Sequence, residues 1–270
     1  MSVAVAVRTW RDSWRLVVLL PLAIVVFELL LVRALGEMPA EAAAWLDRPF
    51  FKPFLRMLLG ADLAESFTAT GLMTLGFAHP FLFAVTWIVP LTICTRVTVG
   101  EMERGTADLL LTLPLSRAAI YISTSVIWAL AGLALCAAPF LGVWLGLRLF
   151  PLWEPVDLGR LRILIVNLLA LYLSIGGVTM LVGSIVSRRG AAIAVVLTGL
   201  LASFLLNYLA TLWAAIEWLA MFGPLHYYKP LQCIRPDHSL SQDVAALATV
   251  GLLAYLGGLW RFCHRDVPAA

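Results

Sequence analysis

Apolar residues along this chain gather into long runs, with neither the alternation of a half-buried strand nor the 3.6-residue stripe of a surface helix. Cutting wherever charges and prolines cluster leaves six stretches, at roughly 16–35, 77–97, 118–147, 163–186, 191–216 and 244–262. Most of them reach the about 20 residues that a helix needs to cross the hydrocarbon of a bilayer. The spans must be helical, because an open strand in lipid leaves its amide groups unpaired at several kcal/mol each. The expected fold is an all-α integral membrane protein, with six transmembrane helices and both termini on one side.

The segments between and before the runs add further elements. Val7, Trp10 and Trp14 recur at i, i+3 and i+7, and Arg8, Arg11 and Arg15 repeat that spacing one residue on. The pattern predicts an amphipathic helix over residues 1–15 on the cytoplasmic surface, with indoles at headgroup depth and guanidiniums toward anionic lipid. A cleavable signal peptide fits less well. The apolar run from Leu16 to Val32 lasts 17 residues, against about 7 to 15 in a signal's apolar region. Residues 36–76 carry Pro49-Phe50-Phe51-Lys52-Pro53-Phe54, too charged to span and too apolar to hang in water, so they are expected along the outer interface. The domain organisation is then 1–15, a membrane domain over 16–262, and a tail at 263–270.

Composition narrows the function classes. The chain has 270 residues, 62% of them hydrophobic and 13% charged, which excludes a water-soluble globule. Its net charge of +3 indicates no nucleic-acid surface, because the basic residues are scattered among the ends of apolar runs. With both termini in the cytoplasm, that side holds ten lysines and arginines in roughly 50 residues and the other side nine in roughly 85, so charge density favours this orientation. Cys94, Cys136, Cys233 and Cys263 form no CxxC pair, and neither a zinc site nor a disulfide framework is indicated.

Chemistry that the chain lacks is equally informative. A Walker A loop needs a Gly-Lys-Ser or Gly-Lys-Thr, and the two lysines, Lys52 and Lys229, each precede a proline. Work driven by ATP would therefore use another subunit for hydrolysis, and this chain is expected to be no enzyme. There is no HExxH and no GxSxG. Asp237 and His238 adjoin in a loop, but sequence neighbours usually point apart.

Polar groups inside the runs are candidates for a translocation path: Glu28, Asn167 and Asn207. Facing lipid at mid-bilayer, Glu28 would cost about 2.5 to 3.5 kcal/mol, so it should face protein or water, either on that path or near the outer interface. Asn167 and Asn207 serve equally as interhelical hydrogen-bond partners. Gly142 with Gly146, and Thr179, Gly183 and Ser187, set small residues on single helix faces. These call for close helix contact, within the chain or across a dimer. Pro21, Pro90 and Pro139 stand inside spans, where a proline can kink a helix.

One loop, 98–117, stands apart. Glu101, Arg104 and Asp108 lie at i, i+3 and i+7 on one face of a short helix, Leu109, Leu110 and Leu113 on the other, and Pro114 ends it. Ser116 is placed to cap the third span. A short amphipathic helix held between two spans suits either an interfacial connector or a lever that takes force from a soluble motor. The stretch resembles the loop of type-two ABC exporter permeases: Glu101-x-Glu103-x-Gly105-Thr106, then Leu110 and Leu111, then Pro114-x-Ser116-Arg117. His79-Pro80, Ser187-Arg188-Arg189, Pro224 to Pro230 and the tail from Arg261 are similar to the same family.

The resemblance implies a six-span, non-catalytic permease of a bacterial cytoplasmic membrane, pairing with a second copy or a sister permease and docking two cytoplasmic ATPase subunits. ATP and Mg would be bound by those partners and no cofactor by this chain. Residues 101–113 would be the coupling helix, with Glu101, Glu103, Arg104, Gly105, Thr106, Asp108, Leu110, Pro114 and Arg117 as its coupling residues. The family is associated with drugs, lipids, polysaccharide, haem and metal-site maturation, so no substrate follows. Two other classes stay open: a membrane-embedded enzyme using Glu28 or Asp237-His238, and an ion-coupled carrier using Glu28.

Overall fold

The computed structural model describes residues 2–37, 68–100, 103, 116–233 and 240–265. Every element among them is helical: α1 (Val3–Gly36), α2 (Ala69–Ala78), α3 (Pro80–Thr95) continued by a π turn at Arg96–Gly100, α4 (Arg117–Leu149), α5 (Leu158–Ile185) and α6 (Arg189–Leu212). A 3-10 turn at Ala214–Ile216, α7 (Glu217–Ala220), a second 3-10 turn at Pro224–Tyr227 and α8 (Pro230–Cys233) lead into α9 (Leu240–His264).

Six of these helices, α1, α3, α4, α5, α6 and α9, are long and apolar enough to cross a membrane, so the chain is a multi-pass membrane protein. They alternate in direction. Asp12, the π turn, Arg117, Ser184, Arg189 and Arg265 meet at one end of the bundle, called the N-terminal end below. Gly36 and Leu152 meet at the far end. There, Arg33, Arg148 and Arg162 lie over the rings of Phe150, Trp144 and Phe140 at 5.2 to 5.7 Å, within cation–π range.

Burial sorts the spans into two shells. In α3, α4 and α5 the most apolar window is 56 to 71% buried, whereas in α1, α6 and α9 it is 22%. The outer shell shows large aliphatic side chains outward: Leu22, Val26 and Leu30 on α1, Leu201 and Leu205 on α6, Leu253 and Leu256 on α9. Burying such a side chain is worth about 1.5 to 3 kcal/mol, so a belt of them belongs in lipid.

Glycines set the closest contacts. A Cβ at Gly142 of α4 would lie 2.7 Å from the Val25 carbonyl oxygen, and one at Gly146 would lie 2.8 Å from Val32 Cβ. On the other side of the bundle, a Cβ at Gly251 would lie 2.8 Å from Ser174 Cα, and one at Gly258 2.9 Å from Leu181 Cα. The seams α1–α4 and α5–α9 are therefore backbone-to-backbone contacts that admit nothing larger than hydrogen.

Two boundaries differ from the sequence reading. Residues 1–15 and the first span were expected as separate pieces, yet α1 runs unbroken from Val3 to Gly36. No glycine and no proline stands between Ser2 and Leu20 to end the first turns. Within that stretch the two faces are as patterned: Val7, Trp10 and Trp14 are exposed, while Val5, Thr9 and Ser13 pack inward. The segment 36–76 was expected along an interface, but its end, from Ala69, is the buried helix α2. Thr68 to Ala78 carries no charge, so burial there meets little desolvation cost. The remainder, 38–67, lies outside the described residues.

Pro21, Pro90 and Pro139 all stand inside helices. His79 separates α2 from α3: its ψ of 136° breaks the helix, its Nδ1 accepts from the Phe81 amide, and Pro80 supplies a first turn that needs no donor. Ser116 caps α4 as expected, its Oγ accepting from the Ala119 amide at 3.1 Å.

Candidate functional site

The loop that the sequence singles out is anchored at the N-terminal end. Glu101, Arg104, Gly105, Thr106, Asp108, Leu110 and Pro114 lie outside the described residues, as do Asp237 and His238. Glu103 and Arg117 are described, together with both anchors of the loop.

On the upstream side, α3 widens into the π turn at Arg96–Gly100. Such turns are rare inside α-helices and recur at functional sites. Thr95 and Thr98 return their hydroxyls to the Leu91 and Cys94 carbonyls, which keeps these polar groups satisfied inside the bundle. Gly183 of α5 faces Thr98, and a Cβ there would strike its hydroxyl. The small face at Thr179, Gly183 and Ser187 thus admits the π turn.

Four polar joints then connect the helix ends. Arg96 pairs with Asp12 at 2.9 Å, linking the π turn to α1. Arg189, the first residue of α6, donates from Nε to Thr95 Oγ1 at 3.2 Å and from Nη2 to the Thr92 carbonyl at 3.3 Å. Its backbone amide donates to Glu103 Oε2 at 3.0 Å. A carboxylate at a helix N-terminus answers an otherwise unpaired amide and the positive end of the helix dipole, worth about 0.3 to 1 kcal/mol.

On the downstream side, Arg117 donates to the backbone carbonyl of Arg265. Arg265, just past α9, donates in turn to the carbonyls of Ser184 and Val186 at 3.2 and 3.1 Å and to Ser187 Oγ at 2.9 Å. It closes the C-terminus of α5 as a cation should. Burial, with Arg261 beside it, draws the Arg265 guanidinium below its usual range. Through these joints both anchors of the loop are linked to every spanning helix.

The other sequence candidates sit elsewhere and are not brought together. Glu28 is wholly buried among α1, α2 and α4, and neither carboxyl oxygen has a hydrogen-bond partner among the described residues. A Cβ at Gly76 would lie 2.6 Å from its carboxyl carbon, so a larger residue there would push the carboxyl aside. Asn167 of α5 is also wholly buried; its amide donates to the Tyr227 carbonyl at 3.2 Å and points at Cys233 Sγ, while its Oδ1 has no partner among the described residues. Asn207 is half-buried on α6. No group of three metal-ligating side chains occurs among the described residues.

Arg265, Asp12 and Arg96 are the residues that sequence reasoning missed. Asp12 carried a signal, as the one acid in a stretch of three arginines. Arg265 carried none, because a basic residue in a tail reads as solvated until its acceptors are seen. No protein-family model matches this chain, and no curated protein matches it.

Proposed function

We propose that this chain is the transmembrane permease subunit of an ATP-binding cassette exporter, moved by cytoplasmic ATPase subunits that dock on the loop 98–117. In this reading the N-terminal end faces the cytoplasm, the chain works as a pair with a second copy or a sister permease, and residues 101–113 are the coupling helix. ATP and Mg are bound by the partners.

The observation that carries the reading is the joinery at the loop's two anchors. A loop that only connected two spans would need no tie to α1, α5, α6 and α9, whereas a lever must pass its load to all of them. Glu103 at the head of α6 and Arg117 on the Arg265 carbonyl supply the first links. The resemblance of Glu101-x-Glu103-x-Gly105-Thr106 to the family's loop supports the same conclusion.

The test is reversal of charge. With Glu101→Arg and Glu103→Arg together, the ATPase is expected no longer to copurify from native membranes and ATP-dependent transport to cease, while the melting temperature of the isolated chain falls by only a few degrees. Retained copurification and transport would refute the docking role.

A second reading, an ion-coupled carrier, is favoured by one observation: an intramembrane acid is a functional group by default, and Glu28 is such an acid, buried with no hydrogen-bond partner among the described residues. It predicts transport on an ion gradient after removal of every ATPase, abolished by Glu28→Gln.

A further inference from the structure

α5 has two flanks. Along one it is sealed against α9; along the other, between α5, α6 and α9, opens a cleft of about 810 Å³. Its walls are branched aliphatics, among them Ile175, Val178 and Val182 of α5 and Val196, Leu200 and Leu206 of α6. Ligand sites are typically about 300 to 1,000 Å³, mostly apolar, with a few polar groups that fix orientation. Ser174 is among the lining residues; it is 1% exposed, and its Oγ has no hydrogen-bond partner among the described residues.

The depth of the cleft can be read along α6. Residues 219–224 fold in from the far end and roof it at the level of Ser203, whose Oγ accepts from the Leu225 amide at 3.2 Å. From Ser203 back to the exposed Arg188 at the N-terminal end is fifteen residues, about 22 Å at 1.5 Å each. Half of a bilayer with its headgroups is about 20 to 22 Å. The roof therefore lies near the midplane when Arg188 is at headgroup level. The mouth is bordered by Val195 and Val250, which belong to the outward aliphatic belt. The opening faces lipid.

We propose that this cleft binds one acyl chain of a bilayer phospholipid from the leaflet at the N-terminal end, with the chain tip under the roof at 219–224 and the phosphate beside Arg188. The occupant follows from the three dimensions together: an aliphatic wall, a sideways mouth and a depth of one leaflet. Arg188 supplies the charge complement, since it is exposed and its guanidinium makes no hydrogen bond or ion pair with the described residues. The proposal is independent of the ATPase reading.

Gly199 provides the means of testing it. It lines the cleft, and a Cβ there would meet nothing within 4 Å, so there is room at this position for a side chain to start into the cleft. The full chain is reconstituted in nanodiscs of phosphatidylcholine containing phosphatidylglycerol with a diazirine near the acyl terminus, irradiated, and its adducts mapped by mass spectrometry. Adducts are expected to concentrate at 195–206 and 219–224, at least fivefold over the exposed face of α1. Gly199→Leu is expected to lower them at least fivefold without lowering the melting temperature, and Arg188→Gln to lower retention of phosphatidylglycerol through detergent washing. Equal labelling of α1 and α6, or labelling unchanged by Gly199→Leu, overturns the proposal. So does cross-linking of Gly199→Cys to a second copy, which would assign the cleft to a contact between chains.

Discussion

The two flanks of α5 are built from the same kinds of residue and behave oppositely. Toward α9, Gly177, Gly251 and Gly258 bring the two backbones together until no Cβ fits. Toward α6, Gly199 faces open space. A glycine makes a seam only where the opposing surface advances to meet it; against the branched wall of Ile175, Val178 and Val182 it makes a hollow instead. What separates a joint from a cavity is therefore the pairing of surfaces across the helices, which no single run of sequence contains.

The seam is the more costly flank to disturb. Gly251→Leu is expected to lose about 3 kcal/mol, the upper end for overpacking, because a clash with backbone cannot be relieved by a rotamer change. Unfolding in a detergent titration measures this, and a variant as stable as the parent would mean that α5 and α9 are not in backbone contact. Next comes the clasp that holds the same two helices at their ends. Arg265→Ala gives up three hydrogen bonds from its guanidinium, and about 2 kcal/mol should go with them. Arg265→Lys should restore little, since an ammonium lacks the planar fork that serves carbonyls on both sides.

On the hollow flank the sign reverses. Gly199→Ala is expected to raise stability by about 0.5 to 1 kcal/mol, the gain from removing glycine's backbone freedom inside a helix, with no steric charge against it. A loss would place the α6 wall closer to its neighbours than described.

The spans were legible in the sequence because length and apolarity are local properties, and a bilayer imposes both. The caps of α3 and α4 were legible for the same reason, since His79-Pro80 and Ser116 act on amides two or three residues away. α2 was not, because Leu72 to Phe77 is as apolar as the span that follows and only the backbone at His79 divides them. At the site, the charged character of loop 98–117 could be read directly, but its attachments could not. Glu103 reaches 86 residues along the chain to Arg189, and Arg117 reaches 148 to Arg265. Contacts of such separation leave no periodic mark.

Gly142 and Gly146, the pair that in an isolated helix would invite a neighbour from another polypeptide, are already occupied by Val25 and Val32 of the same molecule. Gly251 and Gly258 are likewise covered by α5. Neither pair is open to a second copy, so a contact between copies through the described aliphatic faces of α1 and α9 would be contested by solvating lipids, and its strength would depend on the surrounding membrane's composition and thickness.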